Sequence, residues 1–216
     1  GRIPAIERLE GALAAPAPPQ PARITAHSQL LPNAWNFEER ELLKRSLLSF
    51  GYGRWAAIRG WFLDNRVHGI KERGEAELRA YANSLLKSIA DNLTLAHLDL
   101  RLFLLGALEQ PGDPTLFVHS RDWDLNAIRQ RAKPWARRLQ LMHRLNAFIA
   151  RFQARFAAAA GRPPAGYLDH SALLDFLPEG ALAGQRPAAW WTRLHDVHLL
   201  LATHLHGYTN YNYVDR

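Results

Sequence analysis

The stretch WNFEERELLKRSLLSFGYGRWAAI, from Trp35 to Ile58, decides how the rest of the chain is read. Leu43, Leu47 and Phe50 recur at three- and four-residue spacing, so they share one face of a helix, while Glu38, Glu39, Lys44 and Arg45 fall mostly elsewhere. Asn36 stands where an N-cap belongs and Glu39 follows three residues later, the spacing of a capping box. Gly51 ends the helix, because glycine takes a positive-φ C′ conformation without a steric penalty. Past Gly51-Tyr52-Gly53 the chain restarts at Arg54, with Trp55 and Ile58 spaced to face back onto the first helix. The pattern is a helical hairpin, the front half of a small three-helix domain.

The same pattern returns 156 positions later as WTRLHDVHLLLATHLHGYTNYNYV, from Trp191 to Val214. Without a gap, Trp35 aligns with Trp191, Leu43 with Leu199, Gly51 with Gly207 and Tyr52 with Tyr208. Trp55 and Ile58 become Tyr211 and Val214, an aromatic and a branched aliphatic where a second helix must pack. The matches fall on the positions that geometry dictates, so the two stretches read as a structural repeat.

An aromatic before the first helix, a Leu-x-x-x-Leu core and a Phe50-Gly51-Tyr52-Gly53-Arg54-Trp55 turn resemble a Myb/SANT repeat. Two such repeats with a helical spacer between them resemble the SANT-SLIDE region of ISWI and CHD chromatin remodellers. The Kismet-like CHD subfamily is the nearest resemblance, through Trp190, Trp191, Asp196, Leu199, Leu200, Gly207, Tyr208, Tyr211 and Asn212. It covers most of residues 35–216, with the two turns as its specific part. The resemblance implies an all-α, elongated module of two repeats joined by a long spacer, a nuclear location, and double-stranded DNA or the nucleosome as partner. It also implies that ATP hydrolysis lies elsewhere in a parent remodeller. A second expectation is a protein-interaction module that binds histone tails or the remodeller's own motor.

Composition sets the outer bounds. At 216 residues and 48% hydrophobic content, the chain has enough apolar material for a real core. Its zero cysteines exclude disulfides and thiolate zinc sites. No apolar run approaches the roughly 20 residues that span a bilayer, no signal peptide opens the chain, and no membrane partner is expected. A first residue of glycine rather than methionine reads as a piece of something longer. The net charge of +7 favours a polyanionic partner.

In chain order, residues 1–34 are rich in alanine and proline and read as a linker or docking segment, with a short helix expected around Ile6 to Leu13. The first repeat covers 35–93. Its third helix, expected over 75–93, carries Leu78, Tyr81, Ala82, Leu85 and Ile89 on one face and opens with Glu75 and Glu77. Acidic residues at that end argue against base readout in the major groove and toward packing or a histone-facing role. The spacer, 94–188, begins with a helix over 98–109 that is apolar on most of its circumference and so expected to be largely buried. Pro111-Gly112-Asp113-Pro114 breaks it. A short helix is expected from near Asp122 or Asp124, then a long one over 134–160, started by Pro134 and stopped by Gly161. Residues 162–188 form a proline-punctuated connector with a short helix over 171–176. The second repeat, 189–216, lacks its third helix, so either the chain stops early or spacer helices complete its core.

The long helix is the informative part of the spacer. At 100° per residue Trp135, Leu139, Met142, Leu145, Ile149, Phe152 and Phe156 form one apolar band, and Arg137, Arg144, Arg151 and Arg155 a narrow stripe opposite. From Leu125 to Leu168 there are nine lysines and arginines and no acidic residue. A merely solvated helix face mixes signs, so this run points to a phosphate backbone, with Arg129, Arg131 and Lys133 adding to the stripe. Leu141 and Phe148, beside the stripe, are expected against a neighbouring helix, and Arg138, inside the apolar band, is expected to snorkel or pair.

Other chemistry finds little footing. His195, His198, His204 and His206 crowd one helix, yet no carboxylate or cysteine stands at ligand spacing, so core and surface histidines are the expectation. The turn from Gly51 to Gly53 lacks the Lys-Ser/Thr of a phosphate loop. No nucleophile elbow, Cys/His pair or His-Glu-x-x-His occurs. The reading is therefore a non-catalytic module without cofactor or metal.

Overall fold

The computed structural model describes residues 35–64, 71–108, 123–160, 170–177 and 187–209. These form seven α-helices and no strand: α1 (Phe37–Phe50), α2 (Trp55–Asp64), α3 (Glu75–Asp91), α4 (Leu98–Ala107), α5 (Leu125–Ala160), α6 (His170–Phe176) and α7 (Arg193–His206). The linker over 1–34, the breaker at 111–114, most of the connector after 161 and the residues from 210 on lie outside the described set.

Helix α1 starts and stops where its sequence says it should. The Glu39 amide donates to Asn36 Oδ1 at 2.7 Å and the Asn36 amide to Glu39 Oε2 at 2.9 Å, satisfying two amides that the helix leaves without intrahelical partners. At the other end Gly51 has φ +87° and its amide closes on the Leu47 carbonyl at 2.9 Å. A Cβ there would stand 2.9 Å from the Met142 Cβ, so the position needs glycine for conformation and for clearance. Leu43 and Leu47 are fully buried, with Trp55, Ile58 and Phe62 of α2 also in the core.

Arg73 joins the starts of α1 and α3. Its Nη2 donates to Glu39 Oε2 at 2.7 Å and its Nη1 to Glu77 Oε1 at 3.3 Å. Glu77 in turn accepts the Gly74 amide at the head of α3, as Glu39 accepts those of Asn36 and Lys71. Both Glu39 and Arg73 are buried, and the pair tolerates burial because nearly every lone pair of the carboxylate is taken.

Helix α5 is the spine. Its first half offers Ile128, Ala132, Ala136 and Leu139 to the core shared with α1, α3 and α4. Its second half offers Met142, Leu145, Ile149 and Phe152 to Leu173 of α6, to Leu177 just after it, and to Val197 and Leu201 of α7. At about 1.5–3 kcal/mol for each fully buried large side chain, this second cluster is what holds α7 in place. Helix α7 is thus packed on the second half of α5 and on α6.

Three expectations need correction. Helix α4 is not largely buried: only Leu100 and Leu104 are, the face packed on α3 and α5, while Leu98, Leu102 and Leu105 are exposed. Leu141 is exposed too. Helices α1 and α7, placed by sequence at opposite ends of a spacer, meet: the Tyr208 amide donates to the Ser49 carbonyl at 2.9 Å, and a Cβ on Gly207 would stand 3.0 Å from a Phe50 ring carbon.

Candidate nucleic-acid interface

The sequence reading splits the basic region into a short helix and a second one begun by Pro134; the structure has one helix of 36 residues with Pro134 inside it. Asp124 caps the start, its Oδ1 accepting the amides of Asn126 and Ala127 at 3.0 and 3.1 Å. An interior proline withholds one hydrogen bond and costs about 3 kcal/mol. Packing offsets that, since Ile128 and Ala132 before the proline and Ala136 and Leu139 after it lie in one unbroken buried row. Pro134 itself faces solvent, where water can reach the carbonyl it leaves unbonded.

Continuity puts all the basic residues in one frame. Lys133, Arg137, Arg144, Arg151 and Arg155 fall within about 40° of one another around the axis, over a length of about 33 Å. The four arginines are exposed and Lys133 is half-buried. Successive stripe arginines from Arg137 to Arg151 stand two turns, about 10 Å, apart along the helix. No acidic residue occurs in α5, and none of these five cations has an ion-pair partner among the described residues. Arg155 alone leans on a neighbour, its guanidinium 5.7 Å from the Phe176 ring.

Two of the sequence-predicted residues sit apart from this row. Arg129 is exposed at the stripe's edge, about 80° round, and Arg131 points about 120° away, on the side of α1. Arg131 lines a cleft with Leu48, Pro134, Trp135 and Arg138. Arg138 neither snorkels into solvent nor pairs with a carboxylate; its guanidinium stacks on the Tyr208 ring at 3.4 Å, tying α5 to the second glycine turn. Phe148 meets its expected neighbour in Phe176, ring centroids 5.6 Å apart.

Where the two glycine turns meet, a polar junction formed that the sequence reading missed. Arg54 Nη1 donates to His204 Nε2 at 2.9 Å and to Asn146 Oδ1 at 3.2 Å. His204 Nδ1 lies 3.0 Å from the same Asn146 oxygen, and Asn146 Nδ2 donates to the Phe50 carbonyl at 2.8 Å. Arg54 Nη1 also lies 2.7 Å from Nδ1, so whichever ring nitrogen of the neutral imidazole lacks the proton accepts from the guanidinium. Burial, and then the Arg54 charge, push His204 down to about 4, which keeps that neutral form. The only sequence signal for it was an arginine and a histidine each three residues from a turn glycine, 150 positions apart.

No group of three or more potential metal ligands occurs among the described residues. His170 and His198 stack at 4.6 Å, and desolvation with the charges of His170 and His195 lowers His198. No described helix is long and apolar enough to cross a membrane. No protein-family model, curated protein or solved structure matches the chain.

Proposed function

We propose that this chain is a non-catalytic, nuclear DNA- and nucleosome-binding module, one that grips the duplex backbone without reading bases, as SANT-SLIDE-like regions do for CHD-type remodellers. One observation carries it: five cations aligned on a single helix face, with no carboxylate in the helix and no ion pair among the described residues to neutralise them. Cations left uncompensated in a row about 33 Å long set a stripe against phosphates, and each neutralised phosphate releases condensed counterions. Phosphate contacts position a protein on DNA and carry no sequence information, so binding is indifferent to sequence. Lys133, Arg137, Arg144, Arg151 and Arg155 make the contact, and Arg129 widens it at one end.

The two-repeat SANT-SLIDE architecture belongs to the same proposal. In its support, α1 and α7 have the same length of 14 residues, the same kind of N-terminal box and glycine C-caps with φ of +87° and +86°. The second helix of the second hairpin, expected to carry Tyr211 and Val214, falls outside the described residues. The histone-tail reading would use Glu75, Glu77 and the loop from Asp64; Arg79 holds Glu75 at 2.7 Å, Arg73 holds Glu77, and residues 65–70 of the loop lie outside the described set. No particular observation favours it.

The test is charge reversal. Arg144→Glu with Arg151→Glu weakens duplex binding by about a hundredfold or more in a mobility-shift titration while the circular-dichroism helix signal stays that of wild type, since both side chains are exposed. Unchanged duplex affinity in that double variant refutes the proposal.

A further inference from the structure

Between α1 and α5 lies a cleft of about 380 Å³, lined by Leu48, Pro134 and Trp135 with Arg131 and Arg138 beside them. It stands about 120° round α5 from the cationic stripe, so a duplex lying along that stripe does not occupy it. The two faces also differ in kind. The stripe is convex and polar, as a phosphate rod requires; the cleft is concave with an apolar floor. Neither arginine has a carboxylate partner among the described residues: Arg131 is exposed, and Arg138 contacts the Tyr208 ring. One broad face of Trp135 is already taken, with Lys44 Nζ 5.2 Å from the ring centroid, which leaves a poor platform for stacking a base.

We infer that this cleft docks an acidic peptide segment of a protein partner, one apolar side chain entering between Leu48 and Trp135 and flanking carboxylates meeting Arg131 and Arg138. The spacing sets the motif. Residues seven apart on a helix are about 10 Å apart along its axis, and an extended peptide covers that distance in three residues. Aspartate or glutamate at positions i and i+3, with an apolar residue between them, matches both guanidinium groups at once. Charge-assisted contacts to arginine supply specificity, and the apolar floor supplies a desolvated anchor. A lysine-rich histone tail has the wrong sign for this cleft. The inference is independent of duplex binding by the stripe.

The experiment is fluorescence anisotropy on the full chain with a short fluorescein-labelled peptide in which two aspartates, three positions apart, bracket one leucine. Arg131→Glu weakens binding at least tenfold, whereas Arg144→Glu with Arg151→Glu leaves it unchanged. Replacing the peptide's leucine by glycine weakens binding about tenfold, the worth of one apolar anchor. Arg131→Gln, which keeps side-chain bulk, gives a smaller loss and serves if the glutamate variant misfolds. The inference is overturned if the wild-type chain does not bind the peptide, or if the leucine-free peptide binds equally well. It is also overturned if the Arg131 variants keep full affinity, or if a single-stranded oligonucleotide of equal charge binds more tightly and displaces the peptide.

Discussion

Basic residues lie on and beside α3 and along α5, and the two regions use them in opposite ways. Around α3 the cations are answered: Arg73 by Glu39 and Glu77, Arg79 by Glu75, and Lys87 by Asp91 at 2.9 Å. On α5 not one stripe cation has an ion-pair partner among the described residues. Charges around α3 are spent inside the molecule, on helix starts and surface pairs, while those on α5 are left for something outside it. Net charge alone does not make this distinction; pairing does.

The comparison breaks most severely at Glu39. Replacing it by alanine strands the buried Arg73 guanidinium and costs about 3–5 kcal/mol in a urea titration, while duplex affinity of the folded protein stays at the wild-type value. A loss of stability under 1 kcal/mol would place that pair with the ordinary surface pairs. The stripe reversal, Arg144→Glu with Arg151→Glu, does the converse. It lowers duplex affinity by about a hundredfold or more, near 2.7 kcal/mol, and leaves the urea midpoint where it was.

The junction at His204 gives a smaller, pH-dependent effect. Its folded pKa lies near 4 against an ordinary 6.5, so between those values the unfolded chain binds the extra proton. Stability from this group is full above pH 6.5 and is lost as the pH falls toward 4. His204→Gln, unable to titrate, flattens that part of the melting-temperature profile; an unaltered acid limb would remove His204 from the account. Least of all, Lys87→Ala at the exposed pair with Asp91 changes stability by about 0.5 kcal/mol or less and leaves duplex binding alone.

How much of this was legible in the sequence depends on range. Helix α1 and helix α7 are 14 residues each and share their boundaries to the residue under the 156-position shift, because a cap and a glycine stop are decided within four residues of the chain. What they bury was not legible. Leu43 is 0% exposed, but its counterpart Leu199 is 40% exposed, and α7 turns Val197 and Leu201 inward instead. Those positions match Glu41 and Arg45, which α1 does not bury. The choice of face belongs to α5 and α6, elements that no local pattern in α7 specifies. Pro134 misled for the same reason: as a local signal it starts a helix, and only the buried row running past it on both sides overrides that. The stripe itself was readable because spacing and sign are sequence properties. That Arg131 belongs to a cleft, not to the stripe, needed the frame of one uninterrupted helix.

The central claim is that α5 grips phosphates with cations that no carboxylate among the described residues neutralises, and the salt dependence of duplex affinity measures it most directly. Four arginine contacts give a log–log slope of about −3.6, and Lys133 as a fifth brings it to about −4.5. The Arg144→Glu, Arg151→Glu variant should lose about two contacts' worth of that slope together with its affinity. A wild-type slope near zero, or one that the double reversal does not change, would contradict the account.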